Sequence, residues 1–242
     1  MKYQERTYRN RVSKKENLVS FQIKVGETDL YISAGKNLAD IARKSVHKYR
    51  RFIEEYIKHQ PQFLDSLIPI KPDEMAPAII KEMLNASRLS GVGPMASVAG
   101  AIAQYVGMDL LEHSDNIIVE NGGDVFLKSD NEMTIGIFAG KSPLSYKVAL
   151  TVRSEETPLG ICTSSGTVGH SLSLGRADAV CVTSKSASLA DAAATSIGNR
   201  VRKERDIKAA LESGAEIEGV LGILIIVGDK LGAYGAIELK AL

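Results

Sequence analysis

The chain of 242 residues contains no tryptophan, and aromatic residues make up only 5% of it. Platforms for base stacking are therefore sparse, which argues against a dedicated RNA or single-strand binder. Net charge is nearly absent as well. Thirty Lys and Arg against 29 Asp and Glu leave +1 at neutral pH, so no global field draws in nucleic acid or a membrane surface. The two cysteines, Cys162 and Cys181, are too few for a disulfide framework, and their spacing suggests no zinc site. No apolar run reaches the ~18 residues of a membrane span. The longest, 220–227, is interrupted by Gly222 and reads as a buried strand. Residues 1–16 are basic and polar without an apolar core, so no secretory signal is expected and a cytoplasmic location is. Neither a Walker loop nor a Rossmann glycine pattern follows the first predicted strand.

What is present is the balance of an ordinary globular protein, 44% apolar and 24% charged, in a chain long enough for a sizeable core. A hairpin is predicted over 18–34, broken at Gly26-Glu-Thr-Asp29. Asn37 then caps an amphipathic helix over about 38–59, closed by Pro61. A second helix is predicted from Asp73 to about Arg88. A third, over about 95–112, carries Ala96, Ala99, Gly100, Ala101 and Ala103, small residues that suit close backbone approach. The period then changes to two. Strands are predicted at 116–120, 123–128, 132–138, 145–153, 159–163 and 178–184, followed by helices at 187–200 and 203–213 and a hairpin of 219–226 with 231–239. Helices cluster early and strands late, so the class is α+β, with an antiparallel sheet and packed helices in a single domain over 1–242. The cations at 2–15 and on the first helix (Arg43, Lys44, Lys48, Arg50, Arg51) read most simply as solvated surface. A platform for an anionic partner is the alternative.

Three segments carry chemistry. In Ser188-Leu-Ala-Asp191-Ala-Ala-Ala-Thr195, Ser188, Asp191 and Thr195 share one helix face. A carboxylate with a hydroxyl is a hard-oxygen pair suited to Mg²⁺, while Ser188 with Asp191 also fits a capping box. In Asn121-Gly122-Gly123-Asp124, Asn-Gly is a strong hairpin signal. The two glycines could equally clear space where a ring or phosphate touches backbone. The stretch from Thr163 to Gly175 offers backbone N–H groups and hydroxyls to an anion, with His170 set in the loop as a proton-transfer group. Cys162, at the end of a predicted strand before this loop, is either a small core residue or a thiolate favoured by loop N–H groups. Cys181 reads as a buried apolar side chain.

These pieces, in this order, resemble the ApbE-like family, whose best-known members are FAD:protein FMN transferases. The resemblance covers roughly 90–200. Glu120-Asn121-Gly122-Gly123-Asp124 is similar to the family's strand end, Ser165-Gly166…His170 to its Ser-Gly…His loop, and Ala187-Ser-Leu-Ala190-Asp191-Ala-Ala-Ala-Thr195 to its metal-binding helix. The resemblance implies a T-fold-related antiparallel sheet, FAD as ligand, and Mg²⁺ held by Asp191, Thr195 and the backbone carbonyl of Ala96. It implies a nucleotide cradle from Gly93, Asn121, Gly122, Gly123, Asp124, Ser164, Ser165, Gly166 and Thr167, and catalysis by His170. Ala99-Gly100 stands where the family has Lys-Gly, Gln104 where it has Asp, and Ser173-Leu-Gly-Arg176 where it has Asp-Pro-x-Thr-Gly. Flavin binding with weak or absent FMN transfer is therefore expected. Two alternatives come from other classes: a sulfur carrier using Cys162, and a non-catalytic, homo-oligomeric binding module. Neither nucleic acid nor membrane is expected as a partner.

Overall fold

A computed structural model describes residues 18–166 and 174–242. The chain opens with an antiparallel hairpin, β1 (Val19–Val25) and β2 (Thr28–Ala34). Next comes α1 (Ala39–His59), which buries Ala42, Val46, Tyr49 and Ile53 along one stripe. Asn37 assists its start through a side chain that accepts from Ala39 N at 2.9 Å. Asp40 in the first turn and Lys58 and His59 in the last suit the helix dipole. Short α2 (Gln62–Asp65) follows.

The helix expected from Asp73 begins instead at Ala78, as α3 (Ala78–Ser90). Asp73 accepts from Met75 N through Oδ1 at 2.9 Å, and Pro77 disfavours helical backbone in the residue before it. A 3-10 turn over Pro94–Ser97 leads into α4 (Val98–Leu111). The predicted close packing of this helix is present: a Cβ on Gly107 would sit 2.2 Å from the Phe126 ring.

Four strands come next, β3 (Ile117–Asn121), β4 (Asp124–Lys128), β5 (Met133–Gly136) and β6 (Val148–Val152). β7 (Leu159–Ser164) and β8 (Ala179–Ser184) precede α5 (Ala187–Gly198) and α6 (Ile207–Ala215). β9 (Val220–Val227), β10 (Lys230–Gly235) and β11 (Glu238–Ala241) complete the chain. The terminal hairpin ends earlier than predicted. At Gly235, where φ is +80°, the chain turns away, and β11 pairs with β6 in a second sheet.

The main sheet has the order β1-β2-β3-β4-β7-β8-β9-β10, and every neighbouring pair is antiparallel. The small sheet is β11-β6-β5. Alternation along each strand divides the core into layers. On one face, Ile23, Ile32, Val119 and Phe126 pack with α1, α3 and α4, and Val180, Val182, Ile223 and Ile225 with α5 and α6. On the other, Leu127, Ile161, Cys181 and Leu224 meet Met133, Leu150 and Val152 of the small sheet. The helical and strand-rich halves of the sequence thus share one sheet. No helix among the described residues is long and apolar enough to cross a membrane.

The cations of α1 lie on the surface, Arg50 pairing with Glu27 and Glu54 and Lys48 with Asp109. The basic stretch at 2–15 lies outside the described residues.

Candidate functional site

The site forms where the β3–β4 turn, the start of α4 and the face of α5 converge. Asn121 and Asp124 pair across a two-residue turn in which Gly122 has φ +77°. The hairpin reading of Asn121-Gly-Gly-Asp124 is therefore met. Gly123 has a separate reason to lack a side chain, since a Cβ there would stand 2.7 Å from the Thr163 carbonyl. The space cleared by this glycine is taken by the protein's own backbone, with Thr163 N donating to Gly123 O at 3.0 Å. Gly93 behaves alike: a Cβ on it would lie 1.7 Å from the Ser66 carbonyl.

The N-terminus of α5 is clamped from several sides. Ser186 is its cap, accepting from Leu189 N at 3.1 Å and donating to Glu82 Oε1 at 2.6 Å. This corrects the capping box read from Ser188 and Asp191, because the helix starts two residues before Ser188 could cap it. Ala187 N donates to Gln104 Oε1 at 2.6 Å, so Gln104 ties α4 to α5. Glycines let the neighbouring backbones close in. A Cβ on Gly160 would lie 2.4 Å from Ala187 Cα, and one on Gly100 would lie 2.2 Å from Ala187 O and 2.9 Å from Asp191 Cβ.

Asp191 is thereby pressed against the first turn of α4. Its Oδ2 accepts from Gly100 N at 2.9 Å, and Ala99 also bonds it through the backbone. These N–H groups have no partner within their own helix, so Asp191 caps α4 from outside. Asn121 Nδ2 donates to Ala99 O at 3.1 Å on the same turn. Burial lifts the Asp191 carboxyl from 3.8 up to about 7, against the pull of the two backbone donors. Asp124 is buried, where Asp191 is half-buried, and stands well above the usual carboxylate range, first from burial and then from the charge of Asp191. The Cys162 thiol and Thr163 N–H oppose that rise, and Glu120 adds to it. No lysine or arginine among the described residues enters the balance of either carboxyl.

Thr195 lies half-buried one turn beyond Asp191, and Ser188 one turn before it, fully buried. Among the described residues, Ser188 Oγ and Ser90 Oγ are the buried side-chain oxygens without a hydrogen-bond partner. Ala96 sits in the 3-10 turn before α4, which lies against α5. The donors gathered here are hard oxygens, the set that suits Mg²⁺ rather than a thiolate-loving metal. No group of three or more His, Cys, Asp and Glu among the described residues forms a metal cluster. The residues present nonetheless fit a cation, because two interacting carboxyls with no lysine or arginine beside them among the described residues are relieved by one.

Cys162 meets the core reading rather than the thiolate one. It is fully buried beneath Asp124, its Sγ donating to Ala187 O at 3.3 Å. Burial and then the charges of Asp124 and Asp191 push the thiol well above its usual value, opposite to the depression that a reactive thiolate needs. Cys181 is buried on the other face, its thiol pushed up to about 12 by burial.

Ser164 and Ser165 stand half-buried at the end of β7, and Gly166 N donates to Ala177 O at 2.9 Å. Thr167 and His170 lie outside the described residues. The far side of the loop returns against the C-terminal end of α5. Leu174 N donates to Asn199 Oδ1 at 2.9 Å, Arg176 N to Val201 O at 2.7 Å, and a Cβ on Gly175 would meet Gly198 O at 1.9 Å. Both loop ends are thus anchored near the helix that carries Asp191, about 10 Å along its axis from that residue at 1.5 Å per step. A separate cavity of 270 Å³, lined by Leu150, Leu159, Thr183, Lys185 and Ile237, lies between the two sheets, on the face away from α5.

Of the residues singled out from sequence, the structure brings together Asn121, Asp124, Asp191 and Cys162. The roles of Gln104, Ser186 and the Ala99 carbonyl were not read from the sequence. A buried backbone N–H at the start of α5 needs an acceptor, but one-dimensional spacing does not say which side chain reaches it.

A UPF0280 protein of Methanococcus aeolicus is 40% identical over 226 residues, 91% of each chain. The flavin transferase ApbE from Vibrio cholerae superposes with TM-score 0.54 at 14% identity, covering 90% of this chain and 97% of that one. The ApbE protein from Thermotoga maritima gives 0.58 at 13% identity, covering 89% and 96%. At such identities these two similarities establish a shared fold. The family described as AbpE bacteria matches residues 9–233, and the chain belongs to it.

Proposed function

We propose that the chain binds a flavin nucleotide together with Mg²⁺ and acts on the nucleotide's pyrophosphate. The observation that carries this reading is the Asp124–Asp191 pair, a buried and a half-buried carboxyl whose balance of charge includes no lysine or arginine among the described residues. Family membership and the fold shared with proteins named flavin transferases support the flavin. Asp191, Thr195 and the Ala96 carbonyl would hold Mg²⁺, with Asp124 adding charge. The cation would supply charge neutralisation on the phosphate oxygens.

The chain's own residues do the rest. Asn121, through its bond to Ala99 O, fixes the α4 turn against the hairpin. The hydroxyls of Ser164, Ser165 and Thr167 would face phosphate, in a segment whose far side is tied to the end of α5. His170 in that loop is the proton-transfer group. Ala99 brings no positive charge where the family has Lys, so hydrolysis of FAD to FMN and AMP is favoured over transfer of FMN to a protein hydroxyl. The sulfur-carrier reading gains nothing from a thiol buried and raised as Cys162 is.

The test is titration with FAD, with and without Mg²⁺, followed by visible absorbance. The products are then separated, and a protein acceptor is checked for covalent flavin by in-gel fluorescence. Mg²⁺-dependent binding with release of FMN and AMP is expected. No flavin binding under either condition would end the proposal, and strong covalent labelling would overturn the preference for hydrolysis.

A further inference from the structure

α5 presents three rows of side chains. Ala187, Ala190, Ala194 and Ile197 face the sheet, and Leu189 and Ala192 face α3. Asp191, pressed on the start of α4, lies between them in the same row as Ser188 and Thr195. Ser188 is fully buried, and its Oγ has no partner. Burying a hydroxyl in this way is unfavourable, and Ser in a helix gains nothing over Ala in propensity. The hydroxyl therefore needs a reason, and its nearest charged neighbour one turn along the same row is the Asp191 carboxyl.

We infer that Ser188 is a further oxygen of the cation site, holding through its hydroxyl one of the waters that a bound Mg²⁺ keeps. This rests on the reading of Asp191 as a cation ligand and adds a residue to it. Mg²⁺ gives up its water shell reluctantly, so a buried oxygen one helical turn from the carboxyl is suited to orienting a water rather than displacing it. Ser188 is then a positioning residue, acting on the cation through its water. Thr195, half-buried at the outer end of the row, is left to touch the cation itself.

The test is calorimetric titration with MgCl2 alone on four proteins: wild type, Ser188→Ala, Asp191→Asn and Ser90→Ala. Melting curves are recorded in EDTA. Ser90, the other unpartnered buried hydroxyl among the described residues, lies at the end of α3 and serves as the control. Ser188→Ala should weaken Mg²⁺ binding about tenfold, the scale of a lost partner behind a metal's direct ligands. Its metal-free melting temperature should equal or exceed the wild type's. Ser90→Ala should leave Mg²⁺ affinity unchanged, and Asp191→Asn should abolish it. Unaltered affinity in Ser188→Ala beside a silent Asp191→Asn would overturn this inference and leave the Asp191 reading intact. A metal-free melting temperature of Ser188→Ala below the wild type's would also overturn it, because the hydroxyl would then have a structural partner. If wild type binds no Mg²⁺, or Asp191→Asn binds it normally, the underlying reading fails as well.

Discussion

The carboxyl of Asp191 on α5 bears on that of Asp124 on β4, and after burial itself its charge is the largest influence holding Asp124 above the usual carboxylate range. The two arrive from distant parts of the chain. Asp124 is fixed by its pairing with Cys162 in the sheet, and Asp191 by the backbone N–H groups at the start of α4. Each anchor makes structural sense without a ligand. Together they place two like charges in a largely desolvated seam, Asp124 buried and Asp191 half-buried, an arrangement that costs stability unless a proton or a cation is shared there.

That cost sets a pH dependence. In the folded protein Asp191 titrates near about 7 rather than its ordinary 3.8, so between those values the folded state binds more protons than the unfolded chain. Stability from this group is full below the unfolded value and is lost as pH rises through the folded one. In EDTA the melting temperature should fall from pH 5 to pH 8, and less steeply in Asp191→Asn. Identical slopes in the two proteins would show that the group is not held as described.

The thiols should be inert. Cys162 and Cys181 are both fully buried, and both are pushed up by burial. Iodoacetamide at neutral pH should leave them unmodified in the native protein and label both in denaturant, as read by intact mass. Native labelling of Cys162 ahead of Cys181 would restore the carrier reading.

The seam between α4 and α5 depends on Gly100. A methyl there would lie 2.2 Å from Ala187 O, so Gly100→Ala must push the helices apart and with them the Asp191 bond to Gly100 N. Overpacking of this kind should cost about 1–3 kcal/mol, measured by chemical denaturation. A variant as stable as wild type would mean that the helices are more loosely apposed than these contacts state.

Gln104 should matter for a similar reason. Its Oε1 accepts from Ala187 N at the start of α5, and Gln104→Ala would leave that N–H unpaired at a cost of about 1–3 kcal/mol. Gln104→Glu retains an acceptor and should recover most of the loss in denaturant titrations. Equal destabilisation by both variants would assign Gln104 a packing role instead.

Much of this was legible in the sequence because it is local. The stripe of α1, the Asn121-Gly turn and the small-residue face of α4 follow from periodicity and glycine chemistry. The motifs from Glu120 to Asp124 and from Ala187 to Thr195 were enough to indicate the family. The start of α3 was misplaced because Asp73 forms a local turn and Pro77 postpones the helix. The crossing of β11 to the second sheet was missed because period-two patterning does not say which strand a strand pairs with. Ser186 and Ser188 are equivalent as caps in one dimension, and only the helix start separates them. At Gly93 and Gly123 the missing side chains also make room for the backbone of Ser66 and Thr163, contacts invisible before the chain is folded.

The most direct test of the account is the Mg²⁺ dependence of FAD binding in wild type and Asp191→Asn. Asparagine retains an oxygen for the N–H groups of α4, so at pH 5, where Asp191 is protonated, folding stability should change by no more than about 1 kcal/mol, the scale of a helix cap. Calorimetric titration with FAD should show affinity rising with Mg²⁺ in the wild type and insensitive to Mg²⁺ in the variant. The same Mg²⁺ enhancement in both proteins would contradict the assignment of Asp191 to a cation and reduce it to a cap for α4.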